Sequence, residues 1–305
     1  MPVNIPDKLP AIELLKKENI FVIDSSRATS QDIRPLHIAI LNLMPIKVTT
    51  ETDLIRVLSN SPLQIEIEFI KLKSHTSKNT PIEHMMAFYI DFDTIKEKKY
   101  DGLIVTGAPV EQMDYADVNY WKELCEIFDW SRTHVTSSLF ICWAAQAAMH
   151  YYYNVPKYVL DKKLFGVFEH TVNDHKNPIF RGFDDVFYVP HSRYSEVRKE
   201  DILKVKDLRV ISESKDAGVY MVMSKNKREL FVTGHSEYAP ETLDTEYKRD
   251  IKKGLSIDIP KNYYLNDDPN EKPIVRWRSH ANLLYSNWLN YFVYQETPYD
   301  IENIH

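Results

Sequence analysis

The chain has 305 residues, of which 44% are hydrophobic and 27% are charged, and its formal net charge is −6. These values are typical of a globular protein that is large enough to bury an extensive core. The negative charge and the lack of a basic block argue against nucleic-acid binding and against attachment to an anionic membrane, and no apolar run is long enough to cross a bilayer.

Cysteine and glycine are both scarce. The two cysteines, Cys125 and Cys142, form no CxxC pair, which predicts a reducing, cytoplasmic environment rather than a disulfide scaffold. The amino terminus lacks the pattern of a secretory signal, in agreement with that expectation. With 7 glycines, the chain has neither a GxGxxG nor a GxxxxGK[ST] motif. A dinucleotide or nucleotide site of the usual kind is therefore not expected, nor is a bound cofactor.

The predicted elements begin with an amino-terminal extension, residues 1–34, which holds an early helix at 11–20. After it, apolar runs typical of buried strands alternate with segments in which apolar residues recur at helical spacing. In chain order we predict a strand at 36–44, a helix at 49–59 with Thr50 as its N-cap, strands at 65–72 and 100–110, a helix around 120–128, a strand at 137–141 and a helix at 143–153.

Four strands and two helices are predicted in the rest of the chain. The strands are at 184–193, 208–214, 217–224 and 229–235, and the helices are at 242–254 and 280–295. Thr242 is the expected N-cap of the first of these helices, and Gly254 is expected to end it. Residues 261–273 are polar and rich in turn formers, which predicts a mobile surface loop.

This alternation predicts an α/β fold with a mostly parallel sheet flanked by helices. No repeat or linker divides the chain, so we expect one domain at 1–305, with a core sheet region at 35–240 and a helical appendage at 241–305. In such sheets, ligands bind outside the carboxyl ends of the strands. Residues that directly follow the strands are therefore the candidates for chemistry.

Cys142 lies where the apolar run SSLFI gives way to the alanine-rich helix WAAQAAMHYYY. A thiol at this corner gains from the positive end of the helix dipole, which stabilises a thiolate. The general pattern for such a corner is Gly-x-nucleophile-x-Gly, but here the flanking residues are Phe140 and Ala144. On this pattern alone, a nucleophile and a buried filler residue remain equal interpretations of Cys142.

Cys125 serves as a comparison. Together with Trp121, Leu124 and Phe128, it follows the i, i+3, i+4, i+7 spacing of a helix face that packs into a core. We therefore predict a buried and unreactive thiol at this position.

A histidine and a glutamate follow the last predicted strand, in the order Gly234-His235-Ser236-Glu237. Side chains two residues apart on extended backbone point to the same side. His235 can then act as a base that Glu237 orients, as in a cysteine–histidine–carboxylate triad. A surface histidine beside an acid is the simpler alternative. A metal site is a weaker one, because no HExxH or similar spacing is present, and no metal is expected.

The strand at 100–110 ends in Gly107-Ala108-Pro109, where backbone N–H groups are left without strand partners. With the N–H of Trp143, those of Gly107 and Ala108 are candidates for an oxyanion hole. A simple tight turn is the alternative. Three strand ends with complementary chemistry argue for a catalytic site more strongly than any one of them does.

These strand ends belong to longer segments that resemble a known family. The chain is similar to the homoserine O-acyltransferases of bacterial methionine biosynthesis in the strings LNLMPIKVTTETDLIRVLS, YDGLIVTGAPVEQ, FICWAAQAA, KLFGVFEH, VPHSRYSE, FVTGHSEYAPETLDTEYKRD and WRSHANLLYSNWLNYFVYQETPY. The resemblance covers nearly the whole chain and implies a flavodoxin-like sheet of the class I glutamine amidotransferase type. Ala144 and Asn154 stand where many members have glycine, and asparagine is a natural substitute where a helix ends in the left-handed region.

By that resemblance, Cys142 is the nucleophile that accepts the acyl group, His235 is the general base and Glu237 is its partner. The implied reaction is ping-pong: an acetyl group passes from acetyl-CoA to Cys142 and then to the hydroxyl of L-homoserine. Acetyl-CoA is then a co-substrate, and the family suggests a homodimer in the cytoplasm.

The resemblance also implies that Lys163, Ser192 and Arg249 contact the substrate. Arg249 has a physical reason to do so, because a guanidinium group binds the carboxylate of an amino acid through two parallel hydrogen bonds. The alternative is a solvated arginine on a helix face. Without the resemblance, Lys163 reads as a solvated lysine and Ser192 as a turn residue.

Glu111 bears on the identity of the acyl group, because it follows the loop that starts at Gly107. The family divides into acetyl and succinyl users. Glutamate here resembles the acetyl users, whereas succinyl users tend to have glycine. A glutamate about 4 Å from a succinyl carboxylate would cost about 4 kcal/mol at an effective dielectric constant of about 20, roughly a thousandfold in rate. Acetyl-CoA is therefore favoured over succinyl-CoA, unless Glu111 points away from the site.

Two other functions remain open on the sequence alone. A glutamine-hydrolysing amidotransferase would share the fold and the triad, but it needs a synthase or an ammonia-using domain, and no segment of this sequence suggests one. A thiol redox sensor would use Cys142 as an oxidisable group. That alternative leaves Arg249 and the long carboxy-terminal resemblance without an explanation.

Overall fold

The computed structural model describes residues 3–4, 9–17, 22–23, 34–75, 79–298 and 300–304. The α-helices of this part are α1 (Ala11–Lys17), α2 (Lys47–Leu58), α3 (Ile82–Phe88), α4 (Trp121–His134), α5 (Trp143–Tyr153), α6 (Lys199–Ile202), α7 (Thr242–Lys252) and α8 (Arg278–Asn287), which continues as a π-helix, Trp288–Tyr294. Short 3-10 helices span Phe92–Thr94, Tyr115–Asp117, Pro178–Phe180, Leu265–Asp267 and Ile301–Asn303.

The strands are β1 (Val3–Asn4), β2 (Val22–Ile23), β3 (Leu36–Leu41), β4 (Ile65–Lys71), β5 (Tyr89–Asp91), β6 (Tyr100–Val105), β7 (Val135–Ile141), β8 (Tyr158–Val172), β9 (Val186–Glu196), β10 (Leu208–Ser214), β11 (Gly218–Ser224) and β12 (Glu229–Val232). One sheet joins them in the order β2-β1-β4-β3-β6-β7-β12-β11-β10-β8-β9, with β5 beside β4. The half from β2 to β12 is parallel, and the half from β12 to β9 is antiparallel. The prediction of an α/β fold with a mostly parallel sheet is confirmed.

The sheet buries both of its faces in its parallel half. Along β3, Ile38 and Ile40 belong to one hydrophobic cluster, and Ala39 and Leu41 belong to the other, because successive side chains of a strand point to opposite faces. Helices α2 and α8 and the π-helix cover the first face, and α4 and α5 cover the second. Burial on two faces explains why these strands are continuously apolar instead of alternating. In the described ranges, no helix combines the length and the apolar composition that a membrane span needs.

Two helix ends behave as predicted. Asn154 ends α5 in the left-handed conformation, with φ 55° and ψ 29°, and Gly254 follows α7 with φ 72°. Two predicted N-caps are wrong, because α2 begins at Lys47, so that Thr50 lies inside it, and Glu241 rather than Thr242 precedes α7. Residues 18–20 of the predicted early helix, and most of the extension at 1–34, lie outside the described residues.

Two further regions differ from the predictions. β8 is a long strand that the sequence did not suggest, because its first half, YVLDKKL, is charged and half-buried to exposed. Residues 261–273 form an anchored segment rather than a mobile loop. Tyr263 and Tyr264 are buried within it, and the hydroxyl of Tyr263 donates to the carbonyl O of Pro240. The burial of two tyrosines, with a hydrogen bond from a tyrosine hydroxyl, holds this segment in place despite its many turn-forming residues.

Cys125 is half-buried rather than part of the core, whereas its neighbours Leu124 and Phe128 are fully buried. The position lies at the border of the apolar face of α4. Burial, followed by the charges of Asp129 and Glu126, raises the pKa of the Cys125 thiol to about 11. The prediction of a core residue is wrong, but a thiol with a raised pKa is still a poor nucleophile.

Gly166 allows the segment at 261–273 to lie against β8, and its replacement by alanine is expected to destabilise the fold. Its φ is +142°, and an added Cβ would lie 2.4 Å from the carbonyl O and 2.5 Å from the N of Lys261. These atoms belong to the backbone and cannot turn away, so we expect a loss of about 2–4 kcal/mol in the free energy of unfolding. Urea unfolding followed by circular dichroism measures it.

Gly218→Ala is the matched control. Gly218 also has a positive φ, +72°, but an added Cβ would meet nothing within 4 Å. Only the backbone cost remains, and we expect a loss of about 1 kcal/mol. Equal losses in the two variants would contradict the role assigned to the contact with Lys261.

Candidate active site

Cys142 occupies a sharp corner between β7 and α5. Its backbone has φ 53° and ψ −114°, a conformation that residues with a Cβ rarely adopt and that occurs mainly at functional sites. Its N–H donates to the carbonyl O of Val232 (2.7 Å), which ties the corner to the end of β12. The corner forms without the flanking glycines of the general pattern. The small side chain of Ala144 is fully buried behind it.

Gly107 brings the loop after β6 close to this corner. A Cβ added at Gly107 would lie 3.2 Å from the Cβ of Cys142 and 3.7 Å from Cε1 of His235. Glycine thus permits an approach that a larger residue would obstruct. Gly107 and Ala108 line the cavity above Cys142. Trp143 is the first residue of α5, and a first N–H of a helix has no partner within the helix.

His235 and Glu237 follow β12 and form a buried hydrogen-bonded pair. Nδ1 of His235 lies 2.7 Å from Oε1 of Glu237, and both side chains are less than a tenth exposed. The N–H of His235 donates to the carbonyl O of Pro190 (2.8 Å), and the ring of Tyr238 stacks on the imidazole at 4.1 Å. The hydroxyl of Tyr285 donates to Glu237. The imidazole therefore has a fixed position and a fixed acidic partner.

The electrostatics of this pair favour a protonated imidazole. Burial works against the charged form of His235, but the charges of Cys142 and Glu237 and hydrogen bonds to both outweigh it. Together they raise the pKa of His235 well above its usual value. A protonated imidazole at this position can donate a proton, and the neutral ring that remains can accept one.

A cavity of about 550 Å³ opens above Cys142 at the carboxyl ends of the parallel strands. It brings together eight of the ten residues that the sequence singled out, all except Glu237 and Trp143: Gly107, Ala108, Glu111, Cys142, Lys163, Ser192, His235 and Arg249. A second cavity of about 520 Å³ lies elsewhere on the protein and is lined by residues such as Arg132, Lys225 and Glu229. That cavity contains no cysteine or histidine, so the chemistry points to the first one.

Glu246 joins two of the predicted substrate contacts, and the sequence had not suggested it. Nζ of Lys163 lies 2.9 Å from Oε2 of Glu246 and 3.5 Å from Oδ2 of Asp250. The hydroxyl of Ser192 donates to the same Oε2 of Glu246. Arg249 Nε donates to Oδ1 of Asp250 (2.7 Å), and this guanidinium is about half exposed, with a side-chain exposure of 48%.

The spacing of Glu246, Arg249 and Asp250 at i, i+3 and i+4 places these charges on one face of α7. That spacing was the available signal for Glu246. The result is a polar wall of the cavity in which a carboxylate and a guanidinium lie close together. Such a wall suits a ligand that carries both an ammonium and a carboxylate.

Glu111 lines the cavity, and its carboxyl group is hydrogen-bonded. Its Oε1 accepts a hydrogen bond from the N–H of Tyr194 (3.0 Å), and Nζ of Lys157 donates to its carbonyl O (2.7 Å). Burial raises the pKa of this carboxyl, although the N–H of Tyr194 and the charges of His235 and Lys163 act in the opposite direction. The carboxyl is thus fixed on the wall that borders Cys142.

The fold and the site define a class: an α/β protein of the class I glutamine amidotransferase-like fold, with a cysteine at the turn after a central parallel strand. Glutamine amidotransferases from Thermotoga maritima and Methylobacillus flagellatus superimpose with TM-scores of 0.55 and 0.53, at 12% and 11% sequence identity. Both comparisons cover 85% of this chain, and they cover 98% and 95% of those chains. At such identities the likeness shows the fold alone.

Sequence comparison is more specific. Residues 2–299 match the family described as homoserine O-succinyltransferase, and the chain belongs to that family. Proteins named homoserine O-acetyltransferase from Bacteroides fragilis (strain YCH46) and Bacteroides thetaiotaomicron are 72% and 71% identical over the full length of both chains. One from Brevibacillus brevis is 57% identical over 99% of each chain.

Proposed function

We propose that the protein is a homoserine O-acetyltransferase that moves an acetyl group from acetyl-CoA to the hydroxyl of L-homoserine through Cys142. The observation that carries the proposal is the cavity in which Cys142 and His235 face a wall that carries Glu246 and Arg249. The first pair provides acyl-transfer chemistry, and the second pair suits an amino-acid acceptor. The names of relatives that are up to 72% identical support the same reaction.

In the first half of the reaction, the thiolate of Cys142 attacks the carbonyl carbon of the acetyl-CoA thioester. Backbone N–H groups of Gly107, Ala108 and Trp143 are the proposed donors to the oxyanion that develops on the carbonyl oxygen. The C–S bond to coenzyme A then breaks, and the leaving thiolate takes the proton of His235. The product is an acetyl thioester on Cys142 and a neutral imidazole.

In the second half, the neutral imidazole of His235 takes the proton of the homoserine hydroxyl. The oxygen attacks the acetyl thioester, and the bond to the sulfur of Cys142 breaks, which releases O-acetylhomoserine. The cycle ends with a thiolate and a protonated imidazole, as it began. Glu237 holds the imidazole in place and stabilises its charged form at both ends of the cycle.

The polar wall is the proposed site for the ends of homoserine that do not react. Arg249 would bind the carboxylate, and Glu246 would bind the ammonium, with Lys163 and Ser192 holding the Glu246 carboxylate in position. Binding at these ends directs the side-chain hydroxyl toward Cys142. This orientation converts the second half of the reaction into an attack within a bound complex.

Glu111 supports acetyl as the transferred group, because a fixed carboxyl beside Cys142 disfavours a negatively charged acyl chain. Succinyl-CoA is the second candidate donor, since the family as a whole is described as homoserine O-succinyltransferase. The proposal includes no bound cofactor, a cytoplasmic location and a homodimer. These three points rest on the family resemblance and on the composition of the chain.

The intact mass of the protein after brief exposure to acetyl-CoA or succinyl-CoA, without homoserine, tests the proposal. We expect the mass of one acetyl group to appear with acetyl-CoA and to disappear when L-homoserine is added. A succinyl adduct in its place would contradict the acetyl assignment and keep the mechanism. No adduct with either donor, together with release of ammonia from glutamine, would instead establish the amidotransferase alternative.

A further inference from the structure

Arg193 is a buried arginine that the proposed mechanism does not use. It lies on β9 next to Ser192, and only 2% of its surface is exposed. Nη1 donates to the carbonyl O of Ser195 and Nη2 to that of Ala217, both at 2.6 Å. In the part of the chain that the structure describes, no carboxylate forms an ion pair with it. A buried charge without a directly bonded counter-charge is costly, and the negative charges that act on Arg193 are, largest first, those of Cys142, Glu196 and Glu111. The presence of Arg193 therefore calls for a function.

Two histidines complete the surroundings of Arg193 and add no charge. Nδ1 of His170 lies 2.9 Å from the carbonyl O of Phe168; since a carbonyl only accepts, that nitrogen carries the hydrogen. Nε2 of His170 therefore accepts from Nε2 of His191 (3.1 Å), and Nδ1 of His191 accepts from Nε of Arg193 (3.4 Å). Burial lowers the pKa of His170 to about 3 and that of His191 well below its usual value. Both rings are neutral and orient the guanidinium.

On one side, Arg193 is linked to the helix that follows the nucleophile. The carbonyl O of Ser195 that accepts from Arg193 also accepts from Nε2 of Gln146 (3.3 Å), and the hydroxyl of Ser195 donates to Oε1 of Gln146 (2.8 Å). Gln146 lies one helical turn after Cys142, and its N–H donates to the carbonyl O of Cys142 (3.3 Å). The guanidinium thus has a short hydrogen-bonded path to the start of α5.

On the other side, the same group is linked to the base. The ring of His191 lies against Gly234, where an added Cβ would come within 2.9 Å of Nε2. The residue before His191, Pro190, accepts the backbone hydrogen bond of His235. Arg193 therefore contacts the backbone and side chains that position both members of the Cys142–His235 pair.

Arg193 and Cys142 are both buried, with 2% and 4% of their surfaces exposed, so little water separates them from the protein interior. Burial lowers the pKa of Arg193, and the strongest opposing influence is the charge of Cys142. His235 and Tyr238 also interact with that charge. The other charged groups near Cys142 line the cavity rather than the interior behind it: Glu111, Lys163, Glu246, Arg249, Asp250 and Lys253. Arg193 differs from the cations of this set because it is both permanently charged and fully buried.

We propose that Arg193 is a positioning residue for the nucleophile, whose enclosed charge favours the thiolate of Cys142 and whose hydrogen bonds fix Cys142 relative to His235. This inference rests on the proposed function only in taking Cys142 as the nucleophile. According to this proposal, a residue in the interior of the protein, behind the substrate cavity, helps to activate the thiol of Cys142.

The pH dependence of Cys142 alkylation by iodoacetamide tests the proposal, in a Cys125→Ser background so that one thiol is followed. In Arg193→Met we expect the midpoint of the pH profile to rise by about one pH unit, with about tenfold slower alkylation below the midpoint. Arg193→Gln is a second neutral variant, which keeps polar groups in place and should show the same shift. Arg193→Lys, which keeps the charge, should leave the midpoint near that of the parent protein.

Ser195→Ala is the matched control for a purely structural role. It removes the hydroxyl bond to Gln146 and leaves the charge of Arg193 in place, so we expect an unchanged midpoint. An equal shift in Ser195→Ala, or an unchanged midpoint in folded Arg193→Met or Arg193→Gln, would overturn the proposal. Alkylation requires neither acetyl-CoA nor homoserine, so this result is independent of the intact-mass experiment. A failure of the proposed function would show in the intact-mass experiment and not here.

Discussion

Replacement of Cys142 by alanine is expected to lower the rate of acetyl transfer by about a thousandfold or more. Without the thiol there is no acyl-enzyme, and homoserine has to attack acetyl-CoA directly in a site that is not arranged for it. The initial rate of O-acetylhomoserine formation measures the loss, and intact mass checks that the acetyl adduct is absent. Alanine has the same Cβ as cysteine, so the backbone at φ 53° is no more strained in the variant, and we expect the variant to remain folded.

Cys125→Ala is the matched control for this variant. Cys125 is half-buried, and its pKa of about 11 makes it a poor nucleophile, so we expect its replacement to leave the rate within about twofold of the original, as for a substitution remote from the chemistry. Turnover that survives in Cys142→Ala but fails in Cys125→Ala would reverse the roles assigned to the two thiols. Turnover that survives in both would remove cysteine from the mechanism.

Replacement of Glu111 by glycine is expected to raise kcat/KM for succinyl-CoA by about a thousandfold, with a smaller effect on acetyl-CoA. The carboxyl of Glu111 is fixed by the N–H of Tyr194 (3.0 Å) on the wall beside Cys142. A succinyl carboxylate about 4 Å from it would cost about 4 kcal/mol at an effective dielectric constant of about 20. Steady-state kinetics with both donors measure the change in preference.

Glu111→Gln separates charge from space, because glutamine has the shape of glutamate without its charge. If repulsion causes the discrimination, this variant should recover most of the succinyl activity seen with glycine. Recovery with glycine alone would mean that the side chain excludes succinyl by its volume. Because burial raises the pKa of Glu111, we also expect discrimination by the unmodified protein to weaken as the pH falls and the carboxyl takes up a proton.

The sequence predicts the parallel half of the fold well, because its signals are local. Continuous apolar runs identify the strands that lead to Gly107 and Cys142, and helical spacing identifies the helices between them. Even the helix end at Asn154 follows from the preference of asparagine for the left-handed region, where the structure gives it φ 55°.

The antiparallel half of the sheet is harder to predict from local sequence patterns. The first half of β8 contains three consecutive charged residues, Asp161, Lys162 and Lys163, so it lacks the periodicity of a half-buried strand. Glu246 looks like any acidic residue on a helix surface, because its meaning depends on Lys163, which comes from a strand far away in the sequence. Arg193 sits in a polar stretch, HSRYSE, and arginine is so seldom enclosed that nothing in that stretch suggests burial.

The pairing of β7 with β12 also sets the order in which the molecule can be built. Val232 pairs with Ile141, and the corner at Cys142 is tied to the carbonyl O of Val232, although the whole antiparallel half lies between them in the chain. A ribosome therefore has to deliver residue 232 before β7, which leads to Cys142, gains its second neighbour. Long-range pairing of this kind slows folding, and until then β7 is an open edge that other chains can reach. The corner at Cys142 is therefore completed only after the antiparallel half has been synthesised.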